Sequence, residues 1–214
     1  MKDIAVSVQH VCKDFGEEHV LCDVHHDFAA GQIHGIVGNN GSGKTVLFKC
    51  ICGLLVPTSG RILVDYEQIG ADVDFPEDVG LIIETPGFLP SLTGFRNLQL
   101  LAKLRRRVGD TEIRSTLRRV GLDPDLSKHV SKYSLGMRQR LGIAQAIMEA
   151  PSLLVLDEPF NGLDRAGVRE MHRLIMGMRD EGATILMASH NAADIEELCD
   201  TVCSMDAGVL TVMR

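Results

Sequence analysis

Short apolar runs punctuate the chain at residues 4–8, 20–24, 33–37, 61–64, 79–83, 153–156, 184–188, 202–205 and 209–212. They are rich in Val, Ile and Leu and bounded by Gly, Asp, Asn or Pro, the pattern of β-strands. The last two flank Asp206-Ala207-Gly208, which reads as a hairpin turn. Helical spacing takes over elsewhere. Ile113, Leu117 and Val120 recur at three- and four-residue intervals, with Thr111 placed as N-cap and Gly121 just past the end. Val168, Met171, Ile175 and Met178 keep the same period ahead of Gly182, and residues 46–54 also read as helix. Between about residues 88 and 148 no strand pattern occurs, so that stretch is expected to be wholly helical. Strands before and after it would then share one core, with a helical insertion between them. No internal repeat, low-complexity segment or linker is visible.

Composition narrows the function classes. A length of 214 residues with 24% charged side chains suits a globular fold able to bury a substantial core. With 7 Phe, 2 Tyr and no Trp, that core must rest on Leu, Ile, Val and Met. Scarce rings and a net charge of −7 argue against a nucleic-acid binder. No apolar stretch approaches the ~18 residues of a membrane span, and Met1-Lys2-Asp3-Ile4-Ala5-Val6-Ser7 lacks a leader's apolar core. A cytosolic location is therefore expected. Cys12, Cys22, Cys50, Cys52, Cys199 and Cys203 form no CxxC pair and read as small buried hydrophobes. Seven basic and two acidic residues fall within 103–119. A solvated helical face accounts for them; a docking surface for an acidic partner or lipid headgroups stays open.

Chemistry concentrates in two places. Gly38-Asn39-Asn40-Gly41-Ser42-Gly43-Lys44-Thr45 fits G-x-x-x-x-G-K-[ST] between a strand pattern and a helix pattern, the context a phosphate loop requires. Glycines let the backbone wrap so that N–H groups and a helix N-terminus face phosphate oxygens. Lys44 supplies a point charge, and Thr45 a hydroxyl able to ligate Mg²⁺. A turn that merely joins strand to helix would explain the glycines but not Lys44 and Thr45. The second place is Leu153-Leu154-Val155-Leu156-Asp157-Glu158-Pro159, an apolar strand ending in two carboxylates. Open parallel sheets place ligands at the carboxyl ends of their strands. Asp157 can there orient water on Mg²⁺, and Glu158, facing the other way, can take a proton from an attacking water. Together they point to an Mg-dependent nucleoside triphosphatase.

Between these motifs, Tyr133-Ser134-Leu135-Gly136-Met137-Arg138-Gln139-Arg140 resembles the LSGGQ signature of ATP-binding cassette (ABC) ATPases. Asn161-Gly162-Leu163-Asp164 is similar to their D-loop, His190 to their switch histidine, and Phe15 to the aromatic residue that stacks on adenine. Ser134 also sits where an N-cap opens a helix, and such an end with a hydroxyl and Gly136 can hold an anion. The resemblance covers essentially the whole chain. It implies an α/β fold: a P-loop NTPase core of ABC ATPase type with an N-terminal antiparallel β-subdomain and an inserted helical subdomain. Residues 1–214 would form one such domain, with 1–86 and 141–214 as the core and 87–140 as the helical subdomain. ATP and Mg²⁺ are the implied ligands. Gly38, Asn39, Asn40, Gly41, Ser42, Gly43, Lys44, Thr45 and Val46 would surround the phosphates. Thr45, Asp157 and Glu84 would serve the metal, and Glu158, His190 and Glu84 catalysis. Ser134, Gly136 and Asp164 would meet nucleotide held by a second ATPase subunit, either an identical chain or a close homologue.

Three departures qualify the pattern. Leu135 stands where the signature has glycine, and Val46 where a hydroxyl residue is common. Glu84 ends the strand at 79–83 where most relatives carry glutamine, exchanging an amide donor for a charge. The run Ile82-Ile83-Glu84-Thr85-Pro86-Gly87-Phe88-Leu89-Pro90-Ser91-Leu92-Thr93, with Tyr133-Ser134-Leu135-Gly136-Met137, is similar to the ATPases of bacitracin-resistance and lantibiotic-immunity exporters. The function implied is the ATP-hydrolysing subunit of an ABC transporter. It would export a peptide antibiotic or other drug-like compound through separate integral membrane subunits, docked on the inner face of the cell membrane. Two alternatives stand beside it: a soluble ABC ATPase acting on ribosomes or DNA, and a regulatory module that binds nucleotide without hydrolysis. The first kind usually carries two cassettes or a coiled-coil insertion, and intact Glu158 and His190 argue against the second.

Overall fold

The N-terminal strands pair for longer than their apolar pattern runs. In the computed structural model, which describes residues 3–214, β1 (Ile4–Phe15) and β2 (Glu18–Ala29) form an antiparallel pair. Met1 and Lys2, at the start read above for a leader, and the Ala192 side chain lie outside the described residues. The register shifts where His10 and Asp23 adopt left-handed backbone (φ 51° and 52°), and His10 Nδ1 lies 2.8 Å from Asp23 Oδ1. Such a bulge breaks the two-residue alternation on which strand recognition rests, which is why the expected strands, 4–8 and 20–24, were shorter.

The chain then leaves as β3 (Ile33–Val37) for a second sheet and returns as β4 (Ser59–Val64), which pairs with β1. A two-residue strand, β5 (Glu67–Gln68), was not expected; it follows a tight turn through Asp65 and Tyr66, both with φ > 0. Turns of that kind normally carry Asn-Gly or Asp-Gly, and this one does not. The second sheet adds β6 (Val79–Ile82), β7 (Leu153–Asp157), β8 (Thr184–Ala188), β9 (Thr201–Asp206) and β10 (Val209–Val212). Its order is β10-β9-β3-β8-β7-β6, parallel except for β10, which hairpins back through Ala207 and Gly208 as the sequence indicates.

The central strands are apolar throughout because both faces are covered. Leu153, Val155, Leu186 and Ala188 face α1 (Lys44–Ile51) and the first sheet, packing with Leu47, Phe48, Val6, Val8 and Phe28. Leu154, Leu156, Ile185 and Met187 face the opposite way. Against them lie helices from α2 (Gly94–Arg105), α3 (Asp110–Arg119), α4 (Leu135–Ile147), α5 (Arg165–Asp180) and α6 (Ala192–Leu198). Each fully buried aliphatic side chain contributes about 1.5–3 kcal/mol.

Helix boundaries depart from expectation for local reasons. α1 begins at Lys44, so the last residues of the glycine-rich loop are already helical, and it stops before Gly53, whose φ is 74°. α3 starts at Asp110 rather than after Thr111, because the Gly109 N–H donates to Glu112 Oε2 at 2.9 Å and caps the helix two residues earlier. Residues 88–148 are not wholly helical: 88–93, 106–109 and 120–134 are loops, the last with a 3₁₀ turn at Val130–Lys132 and an isolated bridge from His129 to Thr93. Much of the basic segment braces the protein. Arg105 pairs with Glu149 at 2.9 Å, Arg107 with Asp78 at 2.7 Å and Arg114 with Asp125 at 2.6 Å.

All six cysteines are free. Burial pushes the Cys50 and Cys203 thiols up to about 11, and those of Cys52 and Cys199 up to about 12. Cys12 and Cys22 are only partly buried on the first sheet, so the expectation of buried cysteines fails for these two. No helix among the described residues is long and apolar enough to cross a membrane.

Candidate active site

The loop after β3 closes tightly because its glycines accept backbone that other residues resist. Gly43 has φ 109°, and a Cβ there would lie 2.9 Å from the Val20 carbonyl oxygen. Gly38 passes so close to the Met205 carbonyl that a Cβ would collide with it. Lys44 is buried, and its Nζ donates to the carbonyls of Gly38 (2.7 Å) and Asn39 (2.9 Å), folding the ammonium over the loop. Ser42 Oγ is buried with no hydrogen-bond partner among the described residues. An orphaned hydroxyl is costly to bury, and an anionic oxygen in the loop would satisfy it.

Thr45 Oγ1 donates to Asp157 Oδ2 at 2.6 Å, joining α1 to the end of β7. Burial pushes the Asp157 carboxyl up; the charges of Glu158 and Glu84 act the same way, while the Thr45 hydroxyl and Lys44 pull it down. Glu158, the next residue, turns away with φ 50°. Its Oε1 accepts the His190 backbone N–H at 3.0 Å, and its Oε2 lies 2.8 Å from His190 Nδ1. Glu84 has φ 61°, and its Oε1 accepts from Lys49 Nζ at 2.6 Å. Asn40, Gly41, Ser42, Gly43, Lys44, Thr45, Val46, Asp157 and Glu158 line one cleft of about 470 Å³, with Glu18 and Val20 of β2 as its outer wall. A larger hollow of about 770 Å³ lies beyond Gly38 and Asn39, between His190 and Arg214. It holds neither Lys44 nor Asp157, so the smaller cleft is the candidate site.

The remaining residues singled out from sequence lie elsewhere. Ser134 caps α4, its Oγ accepting the Met137 N–H at 3.2 Å, and Asp164 caps α5, accepting the Gly167 N–H at 2.9 Å. Ser134, Leu135, Gly136, Gly162 and Asp164 line a separate cleft that shares no residue with the first. Leu135 is accommodated because it lies over Gly162, where any Cβ would strike its Cγ. Phe15 ends β1, half-exposed, with the Lys13 ammonium 5.0 Å from its ring centre, and does not line the cleft.

Two tertiary contacts had no sequence signal. Lys49 on α1 reads as an ordinary solvated lysine until β6 is placed beside it. Gln139 on α4 donates to the Pro159 carbonyl at 2.8 Å and so ties the helix after Ser134 to the strand end carrying Glu158.

The donor set suits a hard divalent cation shared with phosphate: a threonine hydroxyl beside a carboxylate, in the first turn of the helix that follows the glycine loop. Comparison with known proteins points the same way. The profile described as ABC transporter matches residues 21–161. The chain is 43% identical over 205 residues to the uncharacterized ABC transporter ATP-binding protein YybJ of Bacillus subtilis, covering 96% of this chain and 94% of that one. It is 40% identical over 210 residues to the bacitracin transport ATP-binding protein BcrA of Enterococcus faecalis, covering 97% and 68%. Its fold matches the dimeric post-hydrolysis structure of the ATP-binding cassette MJ0796 bound to ADP and Pi, with a TM-score of 0.86, 21% identity, and coverage of 98% and 97%.

Proposed function

The chain belongs to the ABC transporter family as an ATP-binding subunit, and from that premise we propose how its own residues hold and hydrolyse ATP. The observation that carries the reading is the Thr45–Asp157 hydrogen bond at 2.6 Å beneath a glycine loop with an orphaned hydroxyl. Phosphates lie against the N–H groups of residues 38–45, and the Lys44 ammonium exchanges its two carbonyl partners for phosphate oxygens. Thr45 would hold Mg²⁺, with Asp157 orienting its water; Glu84, which the sequence pattern also offered for the metal and for catalysis, is paired with Lys49 and does not line the cleft, so it is not assigned to either. Bound Mg²⁺ neutralises charge on the phosphate oxygens. Glu158 takes the proton of the attacking water, and His190 holds that carboxylate from both its backbone and its ring. Phe15, half-exposed at the hairpin tip, supplies a face for the base.

The separate cleft at Ser134, Gly136 and Asp164 is the complementary half of a site whose phosphates sit on another subunit, identical or closely similar. MJ0796 has been seen as a dimer. We assign residues 1–86 and 141–214 to a core and 87–140 to a helical unit, although α4 runs through that boundary without a break. The transport role of BcrA supports export of a peptide antibiotic or related drug-like compound through separate membrane subunits, with this chain on the cytoplasmic face. It gives no support to action on ribosomes or DNA.

The test is ATP hydrolysis by the purified chain titrated with Mg²⁺, compared with Asp157→Asn. Hydrolysis should require the metal and fall about 10- to 100-fold in the variant, the range for losing a partner of a metal ligand. Turnover unaffected by the variant would remove Asp157 from the site.

A further inference from the structure

Asp157 and Glu158 line the cleft proposed for the nucleotide phosphates, and a third carboxylate, Glu84, lies outside that lining but near enough for its charge to act on Asp157. β6 and β7 run in parallel with Ile82 opposite Leu156, so Glu84 and Glu158 each lie two residues beyond a paired position, and Asp157 at the end of β7 precedes Glu158. Clustered negative charge opposes the approach of a polyanion unless a cation answers it. Lys44 lies over the loop carbonyls. A second cation, Lys49, has its Nζ 2.6 Å from Glu84 Oε1.

The geometry of α1 explains the pairing. Thr45 and Lys49 are four residues apart, on one helix face and about 6 Å along its axis. The strands they meet are neighbours about 4.8 Å apart. Thr45 reaches Asp157 at the end of β7, and Lys49 reaches Glu84, two residues past the end of β6. The Lys49 side chain is 27% exposed and Glu84 64%. An isolated pair at that exposure contributes little to folding, so its placement beside the site matters more than its strength.

We propose that Lys49 is a positioning residue for nucleotide binding: it neutralises Glu84 and holds that carboxylate away from the phosphates. This rests on the nucleotide site proposed above. Without Lys49, the Glu84 charge is free to turn toward the bound phosphates and repel them. Without Glu84, Lys49 has nothing left to neutralise.

Equilibrium binding of the fluorescent nucleotide mant-ADP tests the assignment without relying on turnover. Lys49→Gln should weaken binding about fivefold, the upper range for a partly exposed charge pair, while Lys49→Arg stays near wild type. Glu84→Gln should bind at least as tightly as wild type. The double variant Lys49→Gln/Glu84→Gln should recover most of the loss, a non-additivity that a purely structural lysine would not produce. Should Lys49→Gln bind like wild type, or the double variant bind as weakly as Lys49→Gln, the proposal is wrong although the nucleotide site stands. Absence of any mant-ADP binding by wild type would overturn both.

Discussion

Glu158 and Glu84 share a property that residue identity does not disclose: both sit in left-handed backbone, at φ 50° and 61°. For residues other than glycine this costs on the order of 1–3 kcal/mol, and it persists where surrounding contacts over-determine it. Here it swings Glu158 from the line of β7 onto His190 and Glu84 onto Lys49. Glu158→Gln keeps shape and most hydrogen bonding but loses the proton acceptor. Hydrolysis measured by phosphate release should fall at least ~10²-fold while ATP binding survives; turnover close to wild type would exclude Glu158 as the base. The identity of the loop, of Asp157 and of Glu158 was legible because phosphate chemistry demands those residue types at fixed spacing. Their partners were not. Lys49 and Gln139 matter through neighbours 35 and 20 residues away in the chain, at Glu84 and Pro159.

Among the elements, α4 joins the two clefts. Pro86, two residues past Glu84, sits on Gly142 of this helix, and a Cβ at Gly142 would come 2.8 Å from the proline Cγ. Two effects compete in Gly142→Ala. Helix propensity favours alanine by about 1 kcal/mol, whereas overpacking against a rigid ring costs about 1–3 kcal/mol. The clash should win, and the midpoint of thermal unfolding should fall; a rise would show that Pro86 yields. Legibility varied with how each element is held. β3, β8 and β10 were read with their observed bounds, because two covered faces or a tight hairpin leave a clean pattern. β1 and β2 were cut short by a bulge, β5 is too brief and polar to signal, and α6 is a seven-residue helix capped by Asn191 that no apolar period announced.

At the scale of the whole molecule, the decisive fact is that Lys44 and Ser134 open onto different clefts of the same chain. In the proposed sandwich each nucleotide needs one chain's Lys44 and the other's Ser134. Lys44→Ala and Ser134→Ala should each be inactive alone, and mixing them should restore part of the ATPase, because one site in a mixed dimer is then intact. Zero activity with mixed dimers demonstrated by cross-linking would refute the sandwich. That strands on either side of a helical insertion share one core was legible from their order, whereas the α/β architecture and the division into two half-sites came from the family resemblance, since nothing in spacing tells which way a cleft faces. The seating of α4 has a mechanical consequence. Gly80 lies against the Ala146 carbonyl and Pro86 against Gly142, so one half of the helix is clamped while Ser134 heads the other end. The eight residues from Gly142 back to Ser134 span about 12 Å, and within them Gln139 is tied to the Pro159 carbonyl at 2.8 Å. A tilt of roughly 15° in that stretch would swing the Ser134 end by about 3 Å, a whole hydrogen-bond length. A displacement of the segment after Glu84 would therefore be felt through one helix at two places, the strand end carrying Glu158 by way of Gln139 and the far cleft by way of Ser134.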